Sequence, residues 1–186
     1  MKAAFKEWAV VVDALEQGEQ CLILRKGGLV EGRGGFQVDQ TRFLLFPTQF
    51  HQQRAQVLPP AQRRFDELEP TFPATDEILI QGWAEVVAWR KLASLAAAER
   101  LRGFHIWRDE VIADRFDWGR ELAIHVLILR VYRLSRPWKG PLLPAYGGCK
   151  SWIEIAEEVD TEGSQPVLDD GAFTAGFGRL AALLDL

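Results

Sequence analysis

Residues 121–134 read ELAIHVLILRVYRL. On a strand, Leu122, Ile124, Val126, Ile128, Arg130, Tyr132 and Leu134 share one face, and Ala123, His125, Leu127, Leu129, Val131 and Arg133 share the other. Both faces are apolar, so the segment reads as a central strand covered on both sides. A charge at position 130 of such a strand is costly unless it is paired. Arg130 must therefore emerge at the strand end or meet a buried carboxylate. The nearest acidic supply is DEVIADRFDWGRE, with Asp109, Glu110, Asp114, Asp117 and Glu121. A structural ion pair is the expectation, with a ligand-facing arginine as the alternative. His125 reads as a satisfied core histidine.

Working outward, residues 76–89 (DEILIQGWAEVVAW) give a second long strand, and CLILRK and RFLLF give shorter ones over 20–26 and before Pro47. Phe5, Trp8, Val12 and Leu15 recur at helical spacing, which predicts a helix over 2–15 ending near Gly18. Thr48 could cap a short helix over 51–57. Helices are also expected over 94–101, 106–116, 151–159 and 173–184. The five glycines of 27–35 mark a loop. Prolines at 59, 60, 70 and 73 mark the best internal boundary, near 59–76, read as a short helix and a loop. Strands and helices do not alternate as βαβ units. The expected fold is α+β: a single domain over 1–186 with a mixed or mostly antiparallel curved sheet, half-barrel in form, flanked by helices.

Composition narrows the function classes. The net charge of −4 argues against a whole-surface nucleic-acid binder and leaves room for a local basic patch. Two cysteines, Cys21 and Cys149, give neither a disulfide framework nor a zinc cluster. Cys21 reads as a buried small hydrophobe. No apolar run approaches the roughly 18 residues of a membrane span, and MKAAFKEW lacks a signal-peptide core. A cytoplasmic protein with reduced thiols, no metal and no cofactor is the expectation. Seven tryptophans and eleven phenylalanines are read as a core of large rings, with one or two free to line a groove.

The most informative polar stretch is 130–152, RVYRLSRPWKGPLLPAYGGCKSW. It carries Arg130, Arg133, Arg136, Lys139 and Lys150 and no acidic residue. In YGGCKSW, Ser151 and Glu154 have capping-box spacing. Tyr146, Gly147, Gly148, Lys150 and Ser151 then form a candidate anion site of backbone N–H groups, a helix N-terminus and a lysine. The same field would lower the pKa of Cys149. The letters GGCKS fail the phosphate-loop pattern, because a cysteine separates glycine from lysine and no strand precedes them. Arg25 and Lys26, at a strand end beside the glycine loop, form a second basic pair. His51 could meet Cys149 as a Cys–His pair if the fold brings them together. The acidic segment EIAEEVDTEG reads as a solvated helix end, and neither acidic cluster has the pattern of a metal-dependent nuclease.

KEWAVVVDAL, LILRKGGLVE, FLLFPTQFHQ, LRVYRLSRPW and YGGCKSW together resemble the uncharacterised bacterial domain-of-unknown-function family 1802, over roughly residues 5–155. Some members of that family are joined to a restriction-endonuclease-like domain. The resemblance therefore implies a role linked to restriction–modification or another DNA system. The leading expectation is a non-catalytic accessory module that binds nucleic acid or another phosphate-bearing ligand through Arg25, Lys26, Arg130, Arg133, Arg136, Lys139 and Lys150, with Tyr146 or Trp152 stacking on a base. Two alternatives are an enzyme built on Cys149, His51, Lys150 and Arg130, and a protein-interaction domain with a tryptophan-rich partner surface.

Overall fold

The structure is a computed structural model and describes residues 1–26, 40–49, 51–74, 76–119, 121–148 and 150–186, with the backbone alone at 51 and 52. In chain order it comprises β1 (Ala3–Trp8), α1 (Ala9–Glu16), β2 (Leu22–Arg25), β3 (Arg42–Thr48), α2 (Pro59–Leu68), β4 (Glu77–Leu92), α3 (Leu95–Glu99), α4 (Asp109–Asp117), β5 (Ile124–Pro141), β6 (Trp152–Glu154), β7 (Gln165–Pro166) and α5 (Asp170–Leu184). The strands form one sheet in the order β2-β5-β4-β3-β1-β6, with β7 added to β5 beyond β2. The β1–β3 pair is parallel; the other pairs are antiparallel. The fold is a mixed α+β domain whose sheet curls into a half-barrel. No helix among the described residues is long and apolar enough to cross a membrane.

The frame is the β4–β5 ladder, from Glu77 opposite Pro141 to Leu92 opposite Ile124. As the two apolar faces of 121–134 predict, β5 lies between neighbours, β2 and β4, and Ile124 and Val126 to Leu129 are fully buried. Both strands run further than their apolar cores, because β5 continues through Pro137 to Pro141. The register shift between Ile80 and Gly82 explains this. Trp138 opposes Ile80 and Arg133 opposes Gly82, so Pro137 falls in a bulge where no ladder N–H is needed. The same bulge makes a notch. A Cβ at Gly82 would lie 2.8 Å from Glu16 Oε1 and 2.9 Å from the Tyr132 carbonyl, and the buried Glu16 carboxyl occupies that space.

Two apolar clusters divide the sheet faces. Phe5, Phe43 and Leu45 join a large core with α1, Phe65, Trp107, Ile112 and Leu180. The alternate residues Ala4, Leu44 and Phe46 join a smaller one with Ile80, Leu134, Tyr146 and Ile153. Ala61 and Phe65 bring α2 into the large core, so the proline-rich segment packs on the same body as the strands.

Several local expectations are corrected. The predicted helix over 2–15 is a strand followed by a helix. Ala3–Trp8 pairs with β3 and β6, and that pairing outweighs the helical spacing of Phe5, Trp8, Val12 and Leu15. The three valines lie in α1, as the helix reading expects, with nearly every residue of that helix buried despite their β-propensity. The predicted helix over 151–159 is β6 and irregular chain: the open edge of β1 captures Trp152–Glu154. The acidic segment after it is therefore not a helix end, though Glu157, Glu158 and Asp160 are exposed as expected. Thr48 caps no helix; its hydroxyl donates to the Glu7 carbonyl, and 51–56 is a 3-10 turn. The helix expected from Ile106 starts at Asp109, because Trp107 is held in a bridge to Val57. The last helix starts earlier than 173, at Asp170, with the Asp169 carboxylate accepting from Ala172 N. Cys21 is a free thiol packed against the core, half-buried, and burial raises its pKa. The glycine loop at 27–35 lies outside the described residues.

Candidate anion-binding site

The two edge strands β2 and β6 meet through side chains where the half-barrel would otherwise stay open. Arg25, the last residue of β2, donates from Nη2 to Ser151 Oγ (2.8 Å), just before β6. Its Nη1 lies 3.6 Å from Glu7 Oε2, near the end of β1. Glu7 shares a face with Phe5, and its side chain is 0% exposed. Glu7 Oε1 accepts from Trp8 N (2.9 Å), whereas Oε2 and Arg25 Nε have no hydrogen-bond partner among the described residues. The Arg25 guanidinium lies 5.1 Å from the Phe5 ring centre. The Trp152 ring stands edge-on to both Phe5 and Phe43, at 4.8 and 5.0 Å.

A second guanidinium approaches from α4. Arg115 lies 4.8 Å from the ring centres of both Trp8 and Trp107 and donates to the Leu24 carbonyl (2.8 Å). Burial lowers its pKa to about 10, with Glu7 acting to raise it and Arg25 to lower it further, so it is cationic at neutral pH. This contact also finishes the sheet edge. Strand alternation turns the Leu22 and Leu24 carbonyls away from β5. Gln20 Nε2 donates to the first (2.6 Å) and Arg115 to the second, leaving little for a foreign strand to pair with.

The third wall is the turn before β6. The Lys6 ammonium donates to the carbonyls of Tyr146 (2.8 Å) and Gly148 (2.7 Å), tying that turn to β1. Gly148 has φ of 79°, where glycine is favoured. Tyr146 is buried, with its hydroxyl accepting from Ala156 N. The Gly147 N–H is taken up by the Pro144 carbonyl. With β6 in place of a helix at 151, the site has no helix N-terminus and no capping box. Ser151 Oγ accepts from Arg25 instead. Lys150 is exposed at the rim.

Arg25, Ser151, Lys150 and the 146–148 turn thus gather at the seam, beside the half-buried rings of Trp8 and Trp152. The other basic candidates lie elsewhere. Lys26 turns to the end of α4, donating to the carbonyls of Phe116 (2.7 Å) and Glu121. Arg130 meets a carboxylate, as expected, but an exposed one from α5 and not a buried one from 109–121: Asp170 Oδ1 is 2.6 Å away, with the Phe173 ring below. The reason is that β7 pairs with β5 and delivers the start of α5 beside Arg130. Arg133 donates to the Glu16 carbonyl (2.7 Å). Lys139 pairs with Glu77 (2.7 Å), and Arg136 is exposed further along β5. His125 is half-buried beside Trp89. Cys149 and the side chain of His51 lie outside the described residues, and with them the Cys–His pair. Among the described residues no three His, Cys, Asp or Glu side chains cluster closely enough to hold a metal ion.

Sequence reasoning missed Glu7, Lys6, Arg115 and Trp107. A faint signal existed for Glu7: in FKEWAVVV it is the one carboxylate, set beside Lys6 between the rings of Phe5 and Trp8.

The family model described as "Domain of unknown function (DUF1802)" matches residues 4–177. No curated protein matches the chain. Among solved structures, the crystal structure of ASCH from Zymomonas mobilis aligns at 13% identity with a TM-score of 0.47, covering 96% of this chain and 94% of that one. A mutant protein of the same ASCH aligns at 14% identity and 0.45, covering 96% of each chain.

Proposed function

The chain belongs to the DUF1802 family, and we propose that it is a non-catalytic module whose seam binds a phosphate-bearing ligand, nucleic acid foremost. One observation carries the reading. Arg25 is fixed by Ser151 and Glu7 yet keeps 20% of its side chain exposed, and it stands in a cluster where, among the described residues, Arg25 and Arg115 outnumber the carboxylate Glu7. Exposed Lys150 adds a further positive charge at the rim. Pre-positioned guanidinium donors suit phosphate oxygens. The half-buried rings of Trp8 and Trp152 lie beside the same seam. The overall charge of −4 confines such binding to this local patch. A restriction–modification or other DNA-linked setting is the biological context we attach to this reading.

Fluorescence anisotropy with short labelled DNA and RNA tests it. Contacts from Arg25, Arg115 and Lys150 would give a log–log salt slope of about −2 to −3. Lys150→Glu, an exposed substitution that should leave the fold intact, is expected to weaken binding about tenfold. Arg136→Glu, away from the seam, should leave it unchanged. No binding at low salt, or equal losses in the two variants, would overturn the proposal.

A further inference from the structure

Trp89, near the end of β4, is 50% exposed. A bulge decides which face of the sheet it joins. Val86 pairs with Leu129 and Ala88 with Ile128, so Val87 is an extra residue with no partner of its own on β5. Unbroken alternation from Val86 would set Ala88 opposite Leu127 and Trp89 opposite Val126. The extra residue slips the register by one, and a slip of one exchanges the faces. Trp89 therefore stands opposite Leu127, and Lys91 opposite His125. Arg90 takes the other face, where it donates to the Asp185 carbonyl at the end of α5 (3.0 Å).

The face that receives Trp89 is the one that carries Arg25. On β2, Arg25 stands opposite His125 and Ile23 opposite Leu127. Arg25, His125 and Lys91 thus form one row across three strands, and Trp89 lies in the next. Strand spacing puts the backbones of Trp89 and Arg25 no more than about 12 Å apart. The Trp89 ring is 5.9 Å from the His125 ring and tilted by 30° to it, and Lys91 is held by Glu121. Towards Gly82 the same face is covered by α1, whose Glu16 carboxyl sits against that glycine. A half-exposed indole is ordinary by itself. Its delivery by a bulge to the face of Arg25 is the informative observation, since bulges re-aim side chains beside binding sites.

We propose that Trp89 is a stacking platform for one unpaired base of a strand whose phosphates rest at the seam, so that the nucleic acid taken there is single-stranded. This platform presupposes the seam as the phosphate site and adds the class of nucleic acid to it. Stacking on an indole needs a base free of its own neighbours. A duplex keeps its bases stacked and offers phosphates and groove edges, which the ring cannot use.

The probes are a labelled oligonucleotide of about 12 nucleotides, as DNA and as RNA, and the same DNA annealed to its complement, read by anisotropy. The wild-type protein is expected to bind the single strand about tenfold more tightly than the duplex. Trp89→Ala weakens the single strand about tenfold and leaves duplex binding unchanged. Its salt slope stays that of the wild type, because an indole carries no charge. Trp89→Phe keeps most of the affinity. Lys150→Glu weakens both forms and flattens the slope. Circular dichroism and a cooperative melt confirm that the variants are folded. Wild-type single-strand affinity in folded Trp89→Ala, an equal loss on both forms, or a wild-type protein that does not prefer the single strand overturns the platform; a loss in Lys150→Glu then still supports the seam. No binding of either form overturns both.

Discussion

Glu7→Gln is expected to destabilise the protein by about 3 kcal/mol, seen as a lower urea midpoint with an unchanged slope. The carboxylate of Glu7 is fully buried and lies against Arg25, and its charge also acts on Arg115. Removing it leaves two guanidinium groups beside each other with no compensating carboxylate among the described residues. An uncompensated buried charge costs far more than an exposed pair contributes, so cutting the solvent-exposed Arg54–Asp66 bridge should change little. Adding Arg25→Met to Glu7→Gln should recover part of the loss, because one of the stranded charges goes with it. A Glu7→Gln protein as stable as the wild type, or a double variant that is simply the sum of its parts, would show that Glu7 does not hold the seam.

The second large effect concerns pH. Burial first, then the charge of Asp13, raises the Glu16 pKa from 4.5 to about 7, against the opposing pull of Arg133. The folded state then holds a proton that the unfolded state has released, so this contribution is full below about 4.5 and lost as pH rises to about 7. His105 acts the other way. Burial lowers its pKa from 6.5 to about 4, so its contribution is full above 6.5 and lost as pH falls towards 4. Each is worth about 3 kcal/mol across its window, and the windows overlap with opposite sign. Relative to wild type, Glu16→Gln should gain about 3 kcal/mol between pH 4.5 and 7, and His105→Leu should lose about as much between pH 4 and 6.5. Urea unfolding across that range reads both. Difference curves that stay flat would mean the two groups titrate normally.

How much of this was legible depended on whether local pattern or distant pairing decided each element. The strands β4 and β5 were legible because long apolar runs leave few other ways to bury them. β1 was not: Ala3–Trp8 becomes a strand through β3 and β6, which lie far away in the chain. For the same reason the local capping signal at Ser151 lost to an open strand edge. The basic residues at strand ends and beside glycines were visible, and Arg25 and Ser151 do meet. Their partner Glu7 and the neighbouring Arg115 could not be seen, since ion pairing across a seam leaves no mark of spacing. Arg130 illustrates the same point: its carboxylate is Asp170, 40 residues away, while the nearer acid Asp109 serves Arg102.

The central claim is that the seam closed by Arg25 and Ser151 is where a nucleic acid rests. Photo-cross-linking of a thio-substituted oligonucleotide, mapped by mass spectrometry, tests it most directly. Cross-links at Trp8, Trp152 and residues 144–148 and 150–151, suppressed by Lys150→Glu, are the predicted result. Cross-links confined to α2, to α5 or to the Arg136 region would contradict it.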